Sequence, residues 1–113
     1  MADGTEKLPR GIRNKNPGNI KLGTDWDGLA SEQSDPVFCV FNESVWGIRA
    51  LMRILLVYRF NPMDKLENSM KDYLPLVKSI IRMENGQQPF TDELLVEGMY
   101  RAWDGYETNS SAS

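Results

Sequence analysis

The sequence contains no histidine and a single cysteine, Cys39. Without histidine, a Ser-His-Asp triad, a Cys-His pair and a His-ligated zinc are excluded within this chain. Acid-base chemistry would have to rest on carboxylates, Lys, Tyr or Cys. One cysteine also excludes an intramolecular disulfide. Set among Val37, Phe38, Val40 and Phe41, Cys39 reads as a small buried hydrophobe. Long hydrophobic runs are missing too, since the longest apolar stretch, Ile54 to Tyr58, falls far short of the roughly 18 residues that suggest a membrane span. Nor is there a basic surplus. Thirteen Lys and Arg against sixteen Asp and Glu leave a formal charge of -3, which argues against a general nucleic-acid binder without excluding a local basic patch. The opening residues, Met1 to Leu8, hold no apolar core of a secretory signal, so the expectation is a protein made and kept in a cytoplasm. No cofactor and no metal ion are expected.

What remains is a chain of 113 residues with 41% hydrophobic and 26% charged side chains, the composition of one small globular domain. Residues 1–8 are polar and unpatterned and read as a flexible arm. Residues 108–113, Thr-Asn-Ser-Ser-Ala-Ser, read as a disordered tail. The domain proper is expected over residues 9–107.

Its first part is rich in Gly, Asn and Asp. Asn16-Pro17-Gly18-Asn19 is a turn signal, and Asp27-Gly28 after Trp26 is a second. Asn19 to Leu22 is a short strand candidate, and Val37 to Phe41 is the stronger one, β-branched and aromatic. Together they predict a small antiparallel hairpin patch. From Glu43 the period changes. Ile48, Leu51, Met52 and Leu55 mark one face of a helix, capped by Asn42 or Ser44 and ended by Asn61-Pro62. A weaker helix follows from about Asp64 to Leu74. A third opens at Pro75, with Leu76, Ile80 and Met83 along its apolar stripe and Gly86 as its stop. Thr91 caps a fourth, with Asp92 and Glu93 in the first turn, where the helix dipole favours acids, and a buried stripe of Leu95, Met99, Ala102 and Trp103. Gly98 counts against the middle of that helix. The expected class is α+β: an antiparallel β-hairpin patch followed by three to four short helices.

Four motifs occur in order over the first half: Gly11-Ile12-Arg13-Asn14-Lys15-Asn16-Pro17-Gly18-Asn19-Ile20-Lys21, then Trp26-Asp27-Gly28, then Asp35-Pro36-Val37-Phe38-Cys39-Val40-Phe41, then Gly47-Ile48-Arg49-Ala50 leading into Leu55-Leu56-Val57-Tyr58. This arrangement resembles a family of phage virion and structural proteins, some of whose members are lysozyme-like enzymes that cleave peptidoglycan. It is similar, over shorter motifs, to the hairpin region of bacterial glucosaminidases. The resemblance implies a lysozyme-like fold of the lytic transglycosylase or glucosaminidase kind. The second half departs from the pattern. Tyr73-Leu74-Pro75 stands where fuller members have an aromatic-Ala-Pro step, but the P-x-E-N-x-T segment that follows there is missing, and the chain runs directly into Leu76 to Gly86.

The resemblance implies chemistry carried by carboxylates. A glycosidase of this type needs an acid that stays protonated near neutral pH, and a second carboxylate or a water completes the displacement. Glu84, at the end of an apolar helix before Asn85-Gly86, is the leading candidate for general acid; a solvated last-turn residue is the plainer reading. Asp35 and Glu43 are the further catalytic candidates, with Asp25 and Asp27 beside them, although turn formation and a first helical turn account for these acids as well. Arg13, Asn14, Asn16, Asn19 and Trp26 are the candidate substrate contacts: amides can exchange hydrogen bonds with sugar hydroxyls, and an indole can stack on a sugar face. The asparagines equally suit the turn itself. Arg10, Arg13, Lys15 and Lys21 concentrate positive charge near the Asn-rich loop. Trp46 and Trp103 fit packing positions. Two functional readings therefore stand side by side: a peptidoglycan glycosidase or lytic transglycosylase, and a catalytically inactive virion or accessory protein that binds a phage or host protein, a defence-system component included. Nucleic acid is the weakest of the partner readings. The expected place is the host bacterial cytoplasm, with incorporation in the virion as the alternative.

Overall fold

A computed structural model describes residues 8–59 and 70–112 of the chain. Four helices follow in order: α1 (Arg10–Arg13), α2 (Ser44–Arg59), α3 (Met70–Asn85) and α4 (Asp92–Ala112). Among the described residues there is no β-strand, which overturns the expected α+β class, the hairpin patch and the lysozyme-like outline built on it. The long segment between α1 and α2 makes only two isolated antiparallel bridges, Lys21 with Phe38 and Leu29 with Phe41.

The physical reason is local. Polar side chains bond the backbone groups that a ladder would otherwise use. Gln33 accepts from the Val40 N–H through Oε1 at 2.8 Å and donates through Nε2 to the carbonyls of Ala30 and Val40, both at 2.8 Å. Asp35 accepts from the N–H groups of Val37 and Phe38, and Asn42 Nδ2 donates to the Leu29 carbonyl at 3.3 Å. The run from Val37 to Phe41 enters a bridge at Phe38 and another at Phe41, but its pairing never becomes continuous.

The core is helical and centred on α2. Val45, Ile48, Leu51, Met52, Leu55 and Leu56 are buried along it, at the 3-to-4-residue spacing of one helix face. Helix α2 packs most extensively against α4, which contributes Leu95, Met99 and Ala102. Helix α3 adds Tyr73, Val77 and Ile81, and the α1–α2 segment adds Ile20, Cys39 and Phe41. The Thr91 cap forms as expected, Oγ1 accepting from the Leu94 N–H at 3.1 Å. Gly86, at φ 76, takes the left-handed position after α3 and donates its N–H to the Arg82 carbonyl at 2.7 Å.

Three expectations about the helices change. Pro75 does not open a helix but lies inside α3. Standing in the second turn, it forgoes one intrahelical bond, and the packing of Tyr73, Val77 and Ile81 on the core carries the helix through it. The buried stripe of α3 is accordingly Tyr73, Val77 and Ile81, one position out of step with the expected Leu76, Ile80 and Met83. Leu76 and Ile80 are half-buried, and Met83 is 77% exposed. Helix α1 answers to no sequence signal named above. The proposed start near Asp64 and the Asn61-Pro62 stop lie outside the described residues. The backbone of α4 runs on to Ala112, into the segment whose composition reads as a tail.

Gly98, which weakens helix propensity, sits where α4 meets α2. A Cβ there would lie 2.6 Å from Ile48 Cγ2 and 2.8 Å from Ile48 Cβ. Two buried atoms of a β-branched side chain have little room to yield. Gly98→Ala is therefore expected to lower stability in urea unfolding by about 1–3 kcal/mol through overpacking, against the gain that alanine normally brings to a helix.

Candidate functional site

The candidate residues gather around the loop that follows α1. Pro9 and Gly11 anchor its bonding: the Arg13 N–H donates to the Pro9 carbonyl at 2.9 Å, and the Asn16 N–H donates to the Gly11 carbonyl at 2.8 Å. Lys15, at φ 56, and Asn19, at φ 50, take left-handed conformations around the expected turn, which closes with the Asn19 N–H on the Asn16 carbonyl at 2.9 Å. Asparagine tolerates that conformation and lysine less so. Strain at Lys15 is held in place because its carbonyl lies against Gly47 of α2, where a Cβ would collide with it.

Asn16 is completely buried. Its Nδ2 donates to the carbonyls of Ile20 and Cys39, both at 3.0 Å, and its Oδ1 accepts from the Ile20 N–H at 3.1 Å. One amide thus joins the turn to the extended segment around Cys39. The Cys39 side chain is buried beside it, and burial pushes its thiol above the ordinary value.

Asp35 is the second anchor. It is buried, and its two oxygens accept from Arg10 Nε and Nη2, both at 2.7 Å, from Asn14 Nδ2 at 2.9 Å, and from the N–H groups of Val37 at 2.8 Å and Phe38 at 3.0 Å. The Arg10 bonds, then the Phe38 N–H, hold its carboxyl far below the usual carboxylate range. Arg10 also lies 4.7 Å from the centre of the Phe38 ring. An acid in this setting stays ionised and is committed to its donors, which is the opposite of what a proton donor to a glycosidic oxygen requires.

Glu84 and Asn19 are the predicted site residues that the fold brings together across the longest stretch of chain. Asn19 Nδ2 donates to Glu84 Oε1 at 3.0 Å, and Glu84 is exposed at the end of α3. The adjoining Asn85 is buried and donates to the carbonyls of Pro17 at 2.8 Å and Ile81 at 3.0 Å. The side-chain oxygens of Asn19 and Asn85 are both buried without a hydrogen-bond partner. Both converge on Gly11, where a Cβ would come within 2.5 Å of Asn85 Oδ1 and 2.7 Å of Asn19 Oδ1. Glycine leaves only Cα–H there, a weak donor that faces both oxygens.

The other candidates lie apart from this set. Glu43 is exposed at the foot of α2, and Arg13 is exposed on α1. Trp26 is half-buried against the core, its Nε1 enclosed without an acceptor. Asp25 is exposed, and Asp27 pairs with Arg49 at 3.3 Å. Lys15 Nζ donates to the Asn42 carbonyl at 3.2 Å. Trp46 lies under Arg101, and Trp103 meets Tyr73 edge to face at 6.2 Å. No hydrogen bond among the described residues links Glu84 to Asp35 or Glu43. Asn85 and Gln33 were missed by the sequence reading. An asparagine before a capping glycine was the available sign for Asn85. Among the described residues, no three acidic or cysteine side chains converge on a point that could hold a metal ion.

No family model matches this chain. Protein P5 of Pseudoalteromonas phage PM2 is 30% identical to it, in an alignment covering 79% of each chain. The chain belongs to the family of this phage protein. That kinship reaches beyond the motif-bearing first half and bears out the expected phage affinity at the level of a bacteriophage protein family.

Two measurements probe the anchors. Because the folded state holds the Asp35 pKa below its unfolded value near 3.9, Asp35 contributes its full stabilisation above that pH and loses it as pH falls further. Asp35→Asn is expected to melt earlier than the parent at pH 7, with the gap narrowing below about pH 4. Asn16→Ala leaves the Ile20 N–H and the Cys39 carbonyl without that partner, and is expected to cost about 2–4 kcal/mol in denaturant unfolding.

Proposed function

We propose that the chain is a bacteriophage protein that acts by binding a phage or host protein, as a virion or accessory component, and that it does not cleave bonds. The observation that supports this reading is the use made of the candidate polar residues. Asn14, Asn16 and Asp35 are committed to holding the loop after α1, and Glu84 lies exposed with an amide as its neighbour. Burial is what keeps a glycosidase acid protonated at neutral pH. Kinship with Protein P5 of phage PM2 agrees with a phage role. The expected setting is the host bacterial cytoplasm, followed by incorporation in the particle where the protein is a virion component. Among the described residues no helix is long and apolar enough to cross a membrane.

A second reading keeps the peptidoglycan glycan strand as the partner. The Asn19–Glu84 contact favours it, since it sets a carboxylate beside a hydrogen-bonding amide at an exposed edge. In that reading Glu84 is the general acid of a lytic transglycosylase or muramidase and Glu43 the further carboxylate, Asp35 being committed to Arg10, Asn14 and the main chain. Arg13, Asn19 and Trp26 are then its glycan contacts, while the buried Asn16 and the Asn14 bonded to Asp35 hold the loop that carries them.

One experiment separates the two. Purified protein and its Glu84→Gln variant are incubated with isolated peptidoglycan, and soluble muropeptides are measured by mass spectrometry. The binding reading expects no release from either protein. Release by the parent that the variant loses overturns it in favour of the glycosidase.

A further inference from the structure

A separate face of the molecule carries a group of cations that the loop after α1 does not use. Trp46, Arg49 and Arg53 stand at i, i+3 and i+7 on α2, so they fall along one side of it. Helix α4 completes the group. Its Arg101 lies over Trp46, with the guanidinium carbon 4.8 Å from the ring centre, and the carbonyl of the next residue, Ala102, accepts from Arg53 Nη1 at 3.4 Å. Arg53 and Arg101 thus lie on the α2–α4 seam, and Arg49 stands one turn before Arg53 on α2, close enough to feel its charge.

Their anionic partners are few among the described residues. Arg101 pairs with Glu97 at 2.8 Å. Arg49 faces Asp27 alone, through one nitrogen and one oxygen at 3.3 Å, although the Arg49 side chain is only 13% exposed and Asp27 is 71% exposed. A guanidinium offers five donors in a planar fork, and one long contact uses few of them. Burial pushes Arg49 below its ordinary value; Asp27 opposes that shift and nearby Arg53 adds to it. Like charges one turn apart destabilise a helix, and here they are held next to a loosely tethered carboxylate, in a chain whose net charge is -3.

We propose that Arg49, Arg53 and Arg101 form a phosphate-recognition site on the Trp46 face of α2 and α4, in which Asp27 sits as a displaceable internal anion. A carboxylate has two acceptor oxygens in one plane, and Asp27 reaches a single guanidinium. A phosphate group presents oxygens in a tetrahedron and carries up to two charges, so it can engage guanidinium groups from two helices together. Trp46 is covered by Arg101, which places a cation over the ring; Arg101 Nε is held by Glu97, and its terminal nitrogens are the donors offered to the ligand.

The test is an NMR titration of the whole chain with inorganic phosphate, at an ionic strength held constant with chloride, reading the arginine Nε–H signals. Saturable shifts at Arg49, Arg53 and Arg101 are expected. Asp27→Asn removes the competing anion and should tighten binding roughly threefold to fivefold, the range of an exposed ion pair. Arg53→Gln and Arg101→Gln, whose folding is checked by thermal unfolding, should each weaken it by about tenfold or more. Because the Arg49 stem is packed, these two variants carry the decision. A parallel titration with a short single-stranded oligonucleotide distinguishes the source: tighter binding of the strand assigns a phosphodiester, and tighter binding of inorganic phosphate assigns a free phosphate. The site is overturned if neither probe saturates, if the two arginine variants bind as the parent does, or if Asp27→Asn weakens binding.

Discussion

The fold depends on one buried amide. Asn16 satisfies backbone groups of Ile20 and Cys39 at once, and so fixes the Asn-rich loop to the segment that enters the core. A buried polar group is tolerated only when its bonds are met, and Asn16 meets them entirely with main-chain atoms. Asp35 repeats the device one step outward, tying α1 to the extended segment through Arg10 and Asn14. Asn85 repeats it again, tying the end of α3 to Pro17. The helices supply most of the buried apolar residues. These side chains decide how the first third of the chain is laid across them.

The motif-bearing segment therefore encodes a way of folding. Gly11 is small because two amide oxygens close on it, and Gly47 is small because the Lys15 carbonyl rests there. Asn14, Asn16 and Asp35 are bonding partners of the main chain or of one another. A pattern of this kind can be shared by proteins with different activities, since function resides in sites placed on a fold and not in the fold itself. Kinship with a phage protein across most of the chain is consistent with that view.

Helix α2 was legible in the sequence because its apolar period is long and unbroken, and α4 because Thr91, Asp92 and Glu93 announce its start. The end of α3 was legible from Gly86. The hairpin was not. Val37 to Phe41 has the composition of a strand, but strand formation is settled by what the partner backbone offers, and Gln33, Asp35 and Asn42 had already taken those groups. The register of α3 is not legible from Pro75, which suggests a boundary by its type, whereas the core selects Tyr73, Val77 and Ile81. Among candidate site residues, the pairing of Asn19 with Glu84 spans 65 positions and has no local signature. The asparagines could be picked out by type, but whether each amide turns toward solvent or toward the main chain depends on tertiary packing.

The side-chain bonding of the loop has a dynamic consequence. In a β-ladder, amide protons are protected by neighbouring strands and exchange when the sheet opens. Here the Val37 and Phe38 amides are held by a carboxylate, the Val40 amide by Gln33 and the Ile20 amide by Asn16. Their protection against exchange with solvent then depends on side chains, Asp35 for two of these amides and Gln33 and Asn16 for one each.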